Sequence, residues 1–406
     1  MSLILFPEIE PARLAVKLTT SGERHLRKGH PWIFSESIEK INKDGKAGDI
    51  SIIFSQKKNE VIGVGLYDPN SPIRIKMLHN GSAAKLNESF FSNKIERAFT
   101  LRTELLETQT NSYRLLFGEN DGFPGFIADV YANVLVVKLY SAIWFPFLET
   151  ILQLLINICN CDSVVLRLSR GLQAMETFGL KDGMVLYGDL QDEVVPFTEH
   201  GIRFSANVIK GHKTGYFLDH RENRKRVGAL SKGKTVLDIF SYAGGFSVHA
   251  LANGAKEVTS VDISKQALEL AKENANLNSF TGNHHTLAGD AFELMQQMIK
   301  DHKTFEVVVI DPPSFAKSQK EVEMAKKKYA QLARLGAQLT SSKGMLVLAS
   351  CSSRVNAEDF FDINEKSLAA QFRKYKLTAT TGHDVDHPVS FLEGAYLKCG
   401  YYRFIE

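Results

Sequence analysis

The chain has 406 residues, of which 44% are hydrophobic and 23% are charged. These fractions are ordinary for a soluble globular protein, and the length exceeds one ordinary core, so we expect two or three domains. The formal net charge of +3 is too small to establish a nucleic-acid partner, and it permits one only where basic residues cluster.

The hydrophobic pattern predicts neither a membrane span nor a secretory leader. The longest apolar stretch, residues 142–158, is interrupted by Pro146, Glu149 and Gln153, and no run reaches the ~18 residues that cross a bilayer. The N-terminal sequence MSLILFPEIEP lacks the basic region of a signal peptide. We therefore predict a cytoplasmic protein with no membrane partner.

The four cysteines predict neither a metal site nor a disulfide framework. Cys159 and Cys161 are separated by one residue, which is poor spacing for zinc, and no pair of His or Cys ligands follows. Disulfides are also rare inside the cell at this cysteine density. We therefore expect no metal ion and free thiols.

The first segment, up to about residue 85, is predicted to be a small β-barrel. Its short apolar runs LAVKL, DISIIF, VIGVGLY and PIRIKML are separated by Gly, Asn, Asp and Pro, which is typical of strands. Between the first two runs, residues 24–30 place Arg, Lys and His beside Trp32 and Phe34. This mixture suits phosphate contacts and base stacking. The alternative is a solvated basic turn with Trp32 in the core, which is favoured for Trp32 alone and equally supported for residues 24–30.

Residues 86–200 are predicted to form a central α+β domain with no obvious chemistry of its own. Residues 86–108 are polar and carry Phe91, Ile95 and Phe99 at helical spacing. Strands around the turn in RLLFGENDGFPGFIADVY, an apolar helix near residues 145–158, and strands in SVVLRLS and MVLYGD follow.

Residues 201–406 alternate between apolar strands and amphipathic helices. The strands are KTVLDIF, EVTSVDI, FEVVVID and GMLVLAS, and the helices include SKQALELAKENANLN and EVEMAKKKYAQLARLGAQL. This alternation predicts an α/β, Rossmann-like fold with a mostly parallel sheet. Ligands then bind at the carboxyl ends of its strands.

Three acidic residues and a Gly-rich loop at these strand ends predict a nucleoside-binding site. Asp238 lies near the end of the first strand, and the loop that follows comprises Phe240, Ser241, Tyr242, Ala243, Gly244 and Gly245. Asp262, 24 residues after Asp238, can accept hydrogen bonds from a ribose diol, and Asp290 can accept one from an adenine amino group. For Asp238 or Asp262 alone, a turn residue at a strand end is a credible explanation, but it explains poorly all three acidic residues in register with the strands.

The sequence of the loop distinguishes between two possible cofactors. Dinucleotide folds favour G-x-G-x-x-G, because the pyrophosphate sits on the N-terminus of the following helix. The loop here reads S-Y-A-G-G-F, which departs from that pattern. S-adenosyl-L-methionine carries no phosphate and does not need the stricter glycine spacing, so we predict this cofactor rather than NAD.

Two later strand ends carry a carboxylate and a thiol. Asp311 precedes two prolines that make its loop rigid, and Cys351 ends the strand in LVLASCSSRV. C5 of a pyrimidine is a poor nucleophile, but addition of a thiolate at C6 activates it, while Asp311 can hydrogen-bond or protonate N3. An inert buried thiol is the usual fate of a strand cysteine. The position of Cys351 opposite the Asp-Pro-Pro loop favours the nucleophile.

This chemistry also needs a base that removes the C5 proton. Glu393 in FLEGAYLK is one candidate and His387 is another. An ordinary turn carboxylate explains Glu393 at least as well.

Six segments match the motifs of a known family: GERHLRKGHPWIFSESI, FGENDGFPGFIADVY, KTGYFLDHRENR, DIFSYAGGFSVHA, DPPSFAKS and SCSSRV. The motifs are specific together, although none is specific alone. Through them, nearly the whole chain resembles bacterial 23S rRNA (cytosine-C5) methyltransferases with an N-terminal PUA domain. The resemblance implies a PUA-like RNA-binding domain at 1–85, a central α+β domain at 86–200 and a class I S-adenosylmethionine-dependent methyltransferase domain at 201–406, with 23S rRNA as the partner.

The resemblance also implies roles for individual residues. Cys351 is the implied nucleophile and Asp311 the implied contact to the base. The implied cofactor-binding residues are Lys213, Thr214, Tyr216, Phe217, Asp219, Arg221, Asp238, Phe240, Ser241, Gly244, Gly245, Asp262, Ile263, Asp290, Ala291 and Asp311. Family members commonly carry Gln after F-L-D, whereas this chain has His220, which leaves the role of position 220 open.

Other functions remain open at the level of sequence. Uracil-C5 methylases also pair D-P-P with a cysteine, and guanine-N2 methylases need no cysteine but usually have Tyr after the prolines. A second family of cytosine methylases uses two cysteines, but Ser314 follows the prolines here, so Cys351 is the single candidate. An RNA-binding assembly factor without turnover is the alternative outside enzymes. The oligomeric state is also open, with a homodimer as one option.

Overall fold

A computed structural model describes residues 3–405, and these fall into two compact units. The first unit comprises residues up to 197 together with 205–218 and 385–391, and the second comprises 198–204, 219–384 and the residues from 392 on. Each unit therefore gathers segments that are far apart in the sequence. The domain boundaries after residues 85 and 200 stay predictions.

The N-terminal part of the first unit is a six-stranded sheet. Its strands are β1 (Arg13–Leu18), β2 (Trp32–Phe34), β3 (Ile38–Ile41), β4 (Ile50–Phe54), β5 (Val61–Tyr67) and β6 (Ile73–Asn80). The strand order is β2-β6-β5-β4-β1-β3, and β1 pairs with β4 in parallel. Alternate residues of β1 are buried, as the run LAVKL predicts.

The basic segment between β1 and β2 forms a helix, α1 (Thr20–Arg27), rather than a turn. Thr19 caps it by accepting a hydrogen bond from the Gly22 amide at 3.1 Å. Leu26 is buried under the helix while Arg24 remains exposed. Trp32 is only partly buried, and its Nε1 donates to Glu119 Oε1 at 3.0 Å. The interpretation of Trp32 as a core residue is therefore wrong.

A five-stranded sheet forms the remainder of the first unit. Its elements are α2 (Glu88–Thr100), α3 (Thr103–Leu106), β7 (Ser112–Phe117), β8 (Phe126–Tyr131), β9 (Val134–Leu139), α4 (Leu148–Cys159), β10 (Ser163–Leu168), α5 (Arg170–Gln173) and β11 (Val185–Gly188). The strand order is β11-β10-β9-β8-β7. The helix predicted over 86–108 is present as α2 and α3, and the predicted apolar helix is present as α4.

The stretch Ala142–Cys159 is long and apolar enough to cross a membrane by length and composition alone. It comprises a 3₁₀ turn that contains Pro146, followed by α4. Half of it is buried within the protein, with Trp144, Ile151 and Leu155 fully enclosed in the core of the five-stranded sheet. The statement that no apolar run reaches spanning length is thus corrected, and packing in a core accounts for the composition of this stretch.

Strands β12 (Val194–Glu199) and β13 (Ile202–Asn207) form a two-stranded sheet. The second unit then adds α6 (Arg221–Leu230), β14 (Thr235–Ile239), α7 (Gly245–Ala252), β15 (Glu257–Asp262), α8 (Lys265–Asn276), β16 (Asn283–Ala288), α9 (Ala291–Lys300), β17 (Phe305–Ile310), α10 (Val322–Leu339), β18 (Thr340–Ser350), α11 (Ala357–Ala369), β19 (Tyr375–Thr381) and β20 (Lys398–Phe404).

The seven strands of the second unit form one sheet in the order β16-β15-β14-β17-β18-β20-β19. The first five run parallel, and β20 is antiparallel to both of its neighbours. The α/β architecture predicted from the strand–helix alternation is therefore confirmed. The strand order reverses between β14 and β17, and such a switch point opens a crevice at the carboxyl ends of the strands.

Candidate active site

The loop after β14 has backbone conformations that L-residues seldom adopt. Phe240 has φ of 65° and Tyr242 has φ of 47°, and Gly244 follows with φ of 77°. A Cβ atom at Gly244 would lie 2.8 Å from the Cβ of Ala271, so this position requires glycine. Left-handed backbone at two non-glycine residues is costly, and it recurs where a loop is shaped for a ligand.

Asp238 lies beneath this loop and is completely buried. Its Oδ2 accepts hydrogen bonds from the Ser247 amide at 3.1 Å and from the Ser247 hydroxyl at 2.6 Å. Burial raises the pKa of Asp238 to about 7, and the nearby negative charge of Asp311 adds to the rise. Asp238 therefore joins the end of strand β14 to helix α7, and below that pH it does so mostly as a neutral acid.

Replacing Asp238 with Asn is expected to flatten the pH dependence of stability. Because the folded-state pKa lies above the unfolded value, the stability contributed by the proton is complete below the unfolded pKa and is lost as the pH rises through about 7. Between about pH 5 and about pH 8, the wild type should lose roughly 2–3 kcal/mol of unfolding free energy that Asp238→Asn retains. Denaturant unfolding measures this, with the exposed Glu269→Gln as control, and equal slopes for Asp238→Asn and wild type would contradict it.

Asp262 is the last residue of β15, the strand next to β14 in the sheet. Its Oδ2 accepts from the Tyr242 amide at 3.0 Å and its Oδ1 from the Ser264 amide at 2.8 Å. Each carboxylate oxygen accepts one backbone N–H and keeps a lone pair for a further donor. Beside it, the side chain of Ile263 is 76% exposed.

Asp290 begins helix α9 at the end of the neighbouring strand. Its Oδ1 accepts from the amides of Phe292 and Glu293 at 2.9 and 3.1 Å, so it caps the helix. Ala291, the first residue of α9, is buried. Capping uses one carboxylate oxygen of Asp290, and the second remains for a ligand.

The predicted junction residues fall into both units. Lys213, Thr214, Tyr216 and Phe217 belong to the first unit, where Thr214 Oγ1 donates to Asp129 Oδ2 at 2.5 Å. Asp219 and Arg221 belong to the second unit. Asp219 Oδ2 accepts from the Tyr396 hydroxyl at 2.8 Å, and Arg221 is fully buried beside Asp384 at 3.3 Å.

The structure brings Cys351 and Asp311 together at the ends of β18 and β17. Cys351 Sγ lies 3.9 Å from Asp311 Oδ1, as the motif positions predict. His220, from the turn before α6, completes the group: its Nε2 lies 3.5 Å from Cys351 Sγ and 3.3 Å from Asp311 Oδ1. The three donor atoms lie within 4.8 Å of one another, a set that could also hold a transition-metal ion.

The environment of Cys351 keeps its thiol protonated at rest. Burial raises the pKa of Cys351 well above its usual value, and the negative charges of Asp311 and Asp219 raise it further. Lys398 acts in the opposite direction, and burial lowers the pKa of that lysine to about 8. Burial also favours neutral His220, but the Asp311 carboxylate outweighs this and raises the pKa of the imidazole. A thiolate at Cys351 therefore needs local stabilisation.

The two candidates for the C5-proton base lie in different units. Glu393 is exposed on a 3₁₀ turn, Leu392–Gly394, of the second unit. His387 is buried in the first unit, with its Nδ1 2.9 Å from Asp386 Oδ1. Both assignments stay predictions.

Comparison with known proteins identifies the family. Residues 127–376 match the model of S-adenosylmethionine-dependent methyltransferases, and residues 16–80 match a PUA-like domain. The chain belongs to the S-adenosylmethionine-dependent methyltransferase family. The predicted fold class, with a PUA-like domain before a class I methyltransferase fold, is confirmed, and so is the predicted cofactor.

Relatives of this methyltransferase match it from end to end. A ribosomal RNA large subunit methyltransferase from Deinococcus radiodurans is 40% identical over 399 residues, which cover 97% of this chain and 98% of that protein. A ribosomal RNA large subunit methyltransferase I from Shewanella frigidimarina is 34% identical over 397 residues, covering 95% and 98%. A crystal structure of a methyltransferase complexed with S-adenosylhomocysteine has the same fold, with a TM-score of 0.81, 23% identity, and coverage of 97% and 100%.

Three residues near the thiol of this methyltransferase were not assigned roles from the sequence. The sequence marks His220 only as a departure from the Gln that family members commonly carry, and it assigns no role to Asn223 or Lys398. Lys398 is buried and donates from Nζ to the carbonyls of Ser352 and Tyr396, the latter at 2.9 Å. The sequence signal for Lys398 is a lysine that begins the strand-like run KCGYYRF.

Proposed function

We propose that this methyltransferase methylates C5 of a cytosine in large-subunit (23S) ribosomal RNA, through a covalent bond between Cys351 Sγ and C6 of the base. The observation that carries the proposal is the half-buried thiol of Cys351, 3.9 Å from the carboxylate of Asp311 at the tips of adjacent strands. The full-length relatives named as large-subunit rRNA methyltransferases support the choice of RNA. A cytoplasmic location fits that substrate.

The residues at the strand ends fit S-adenosylmethionine. Ser241 Oγ in the Gly-rich loop is buried without a hydrogen-bond partner among the described residues, so it is available to a ligand. Asp262 can hold the ribose hydroxyls, the exposed Ile263 can cover a face of the adenine, and Asp290 can accept from the adenine amino group. The remaining assigned residues of the loop, together with Asp219 and Arg221 of the same unit, complete the proposed pocket. The bound cofactor supplies an electrophilic methyl group.

The protein's own groups act on the base. Cys351 Sγ adds to C6 while Asp311 delivers a proton to N3, so C5 becomes an enamine carbon that can accept a methyl group. After methyl transfer, a base removes the C5 proton and expulsion of Sγ restores the C5–C6 double bond. The proton on N3 then returns through Asp311 to the departing sulfur, which regenerates the thiol. We assign the C5-proton base to Glu393, which lies in the same unit as Cys351 and Asp311.

The PUA-like domain is the proposed holder of the RNA. The exposed residues Arg24, His25 and Lys28 lie on and after helix α1, and Trp32 is partly accessible next to them. Arg27 forms an ion pair with Glu23 at 2.8 Å, so its charge is less available for phosphate contacts than the sequence suggests. Cations beside an aromatic ring suit phosphate contacts and base stacking.

Nucleoside analysis tests the proposed reaction. Large-subunit rRNA from a strain that lacks the gene is incubated with the protein and isotopically labelled S-adenosylmethionine, digested, and examined by mass spectrometry. We expect labelled 5-methylcytidine. Labelled 5-methyluridine or methylguanosine would show that the target base is uracil or guanine and not cytosine. Cofactor binding without any label in the RNA would favour an assembly factor without turnover.

Replacing Asp262 with Ala is expected to weaken binding of S-adenosylmethionine by roughly 10- to 100-fold. A hydrogen bond to a charged acceptor contributes about 1.5–3 kcal/mol, and Asp262 offers a carboxylate to two ribose hydroxyls. Isothermal titration calorimetry measures the affinity, and Asp301→Ala, an exposed carboxylate at the far end of α9, is the matched control. Equal affinities for Asp262→Ala and Asp301→Ala would remove Asp262 from the proposed pocket.

A further inference from the structure

Asn223 fixes the orientation of the imidazole of His220. Asn223 Oδ1 lies 2.6 Å from Thr381 Oγ1 and 2.8 Å from the Tyr401 hydroxyl, which are O–H···O distances. Its Nδ2 lies 3.1 Å from His220 Nδ1, a distance typical of a bond donated by nitrogen. The amide oxygen therefore faces the two hydroxyls, and the amide N–H faces the imidazole.

This arrangement decides which imidazole nitrogen carries the proton. A donor at Nδ1 needs an acceptor there, so Nδ1 has no proton and the neutral ring carries its proton on Nε2. Nε2 is the atom that lies 3.5 Å from Cys351 Sγ and 3.3 Å from Asp311 Oδ1. His220 is also 3% exposed, and the ring of Phe246 packs against it edge-on at 5.5 Å. Water therefore cannot readily replace its contacts.

We propose that His220 is a hydrogen-bond donor to the thiolate of Cys351, held in the Nε2–H tautomer by Asn223 as a positioning residue. The inference deepens the proposed function and rests on it. When the S–H bond breaks, its electron pair forms the bond to C6, and the proton passes to Asp311 Oδ1 and on to N3 of the base. His220 keeps its own proton throughout and stabilises the sulfur anion by donating to it.

A proton acceptor is the competing role for His220. To take the thiol proton, Nε2 would need a free lone pair, and the ring proton would move to Nδ1. The amide of Asn223 would then present N–H to N–H unless it turned over, which would exchange its oxygen for nitrogen at the short contacts with Thr381 and Tyr401. The geometry therefore points to the donor.

Other charges also act on this pair. The titratable and charged groups that act on Cys351 and His220 from the surrounding elements are Asp311, Asp219, Lys398, Cys399 and Arg224. Lys398 is the cation among those acting on Cys351, and its Nζ is held by the carbonyls of Ser352 and Tyr396. His220 therefore differs from these groups because it can donate a hydrogen bond to Cys351 Sγ, whereas the charges act on the sulfur over a longer range.

Two substitutions at His220 separate donor from acceptor. Gln offers an N–H donor but cannot take up a proton, whereas Leu offers neither. Alkylation of Cys351 by iodoacetamide is followed by mass spectrometry from about pH 6 to about pH 10, without RNA and with a chelator to remove any bound metal. His249→Gln is the matched control, because His249 is a buried imidazole bonded to a carboxylate, Glu199, at 2.8 Å.

We expect His220→Leu to raise the pKa of the Cys351 thiol and to slow methyl transfer by about 10²- to 10³-fold, as loss of one preorganised donor does. His220→Gln should keep both within about threefold of wild type, and His249→Gln should leave the thiol pKa unchanged. If Gln fails as completely as Leu, His220 is a proton acceptor and the inference is wrong. An unchanged alkylation profile in His220→Leu would also overturn it.

A measurement on the wild type keeps the inference testable if His220→Leu fails to fold. Nitrogen-15 NMR of histidine-labelled protein distinguishes the two tautomers, and the His220 signal is identified by its loss in His220→Gln. We expect Nδ1 without a proton and Nε2 with one, and a protonated Nδ1 would refute the assignment. Alkylation and NMR need neither RNA nor turnover, so their failure is distinguishable from failure of the nucleoside analysis.

Discussion

Replacing Cys351 with Ala is expected to reduce methyl transfer to rRNA by at least about 10³-fold while leaving S-adenosylmethionine affinity within about twofold. Without addition at C6, C5 of cytosine is too poor a nucleophile to attack the methyl group. The loss should therefore appear in the chemical step and not in cofactor binding, since Cys351 follows β18 while the proposed ribose site follows β15. Single-turnover transfer of a labelled methyl group measures the rate.

A covalent trap sharpens this experiment. In RNA that contains 5-fluorocytosine, fluorine replaces the C5 proton that must leave, so the Sγ–C6 bond cannot be released. Wild-type protein should form a denaturation-resistant complex with this RNA, and Cys351→Ala should form none. Cys159→Ala is the matched control, because Cys159 is a partly buried cysteine whose Sγ donates to the Leu155 carbonyl. Full activity of Cys351→Ala would end the covalent mechanism.

The sequence predicted the parts of the site that follow from chain-local pattern. Apolar runs that end in Asp238, Asp262, Asp311 and Cys351 place these residues at one edge of the sheet once the strands are parallel. No long-range contact needs to be known for this step, because parallel strands with helical crossovers present their carboxyl ends together. The pairing of Cys351 with Asp311 was therefore predictable.

The parts that were missed depend on contacts between distant segments. His220 and Cys351 are separated by 131 residues, and Asn223 meets Thr381 across 158. A strand pattern does not report which turn side chain reaches the tip of another strand. Helix α1 was missed for a different reason: eight residues with one buried leucine carry too little periodicity to outweigh a basic, Gly-containing turn.

The two compact units also differ from the predicted domains, because each unit contains segments that are not continuous in the sequence. Residues 205–218 and 385–391 belong to the first unit although they are flanked by residues of the second. Thr214 shows the physical reason within the first unit, because its hydroxyl bonds to Asp129 and lies 3.0 Å from the buried Tyr131 hydroxyl. Such buried polar contacts are specific but leave no compositional mark, so the sequence predicts the presence of a junction and not its packing.

Replacing Asp311 with Asn is expected to change two activities of Cys351 in opposite directions. The Asp311 carboxylate raises the pKa of the Cys351 thiol, so its removal should lower that pKa and increase the thiolate fraction near neutral pH. For any thiol, each unit of pKa decrease gives tenfold more thiolate, offset by about a threefold loss of nucleophilicity. Alkylation of Cys351 by iodoacetamide at about pH 7.5 should therefore become several-fold faster.

Methyl transfer by Asp311→Asn should instead fall by at least about 10³-fold, because the amide can neither accept the thiol proton nor deliver it to N3. The sign of each effect follows from a separate property of one carboxylate, its charge and its capacity to carry a proton. Asp359→Asn, a partly exposed carboxylate paired with Lys326, should change neither rate.

Slower alkylation in Asp311→Asn would mean that the carboxylate supports Cys351 by structure rather than by charge. Retained methyl transfer would assign the N3 proton to another group. Faster alkylation together with lost turnover is the combination expected only if Asp311 keeps the Cys351 thiol protonated until the cytosine lies within reach of both groups.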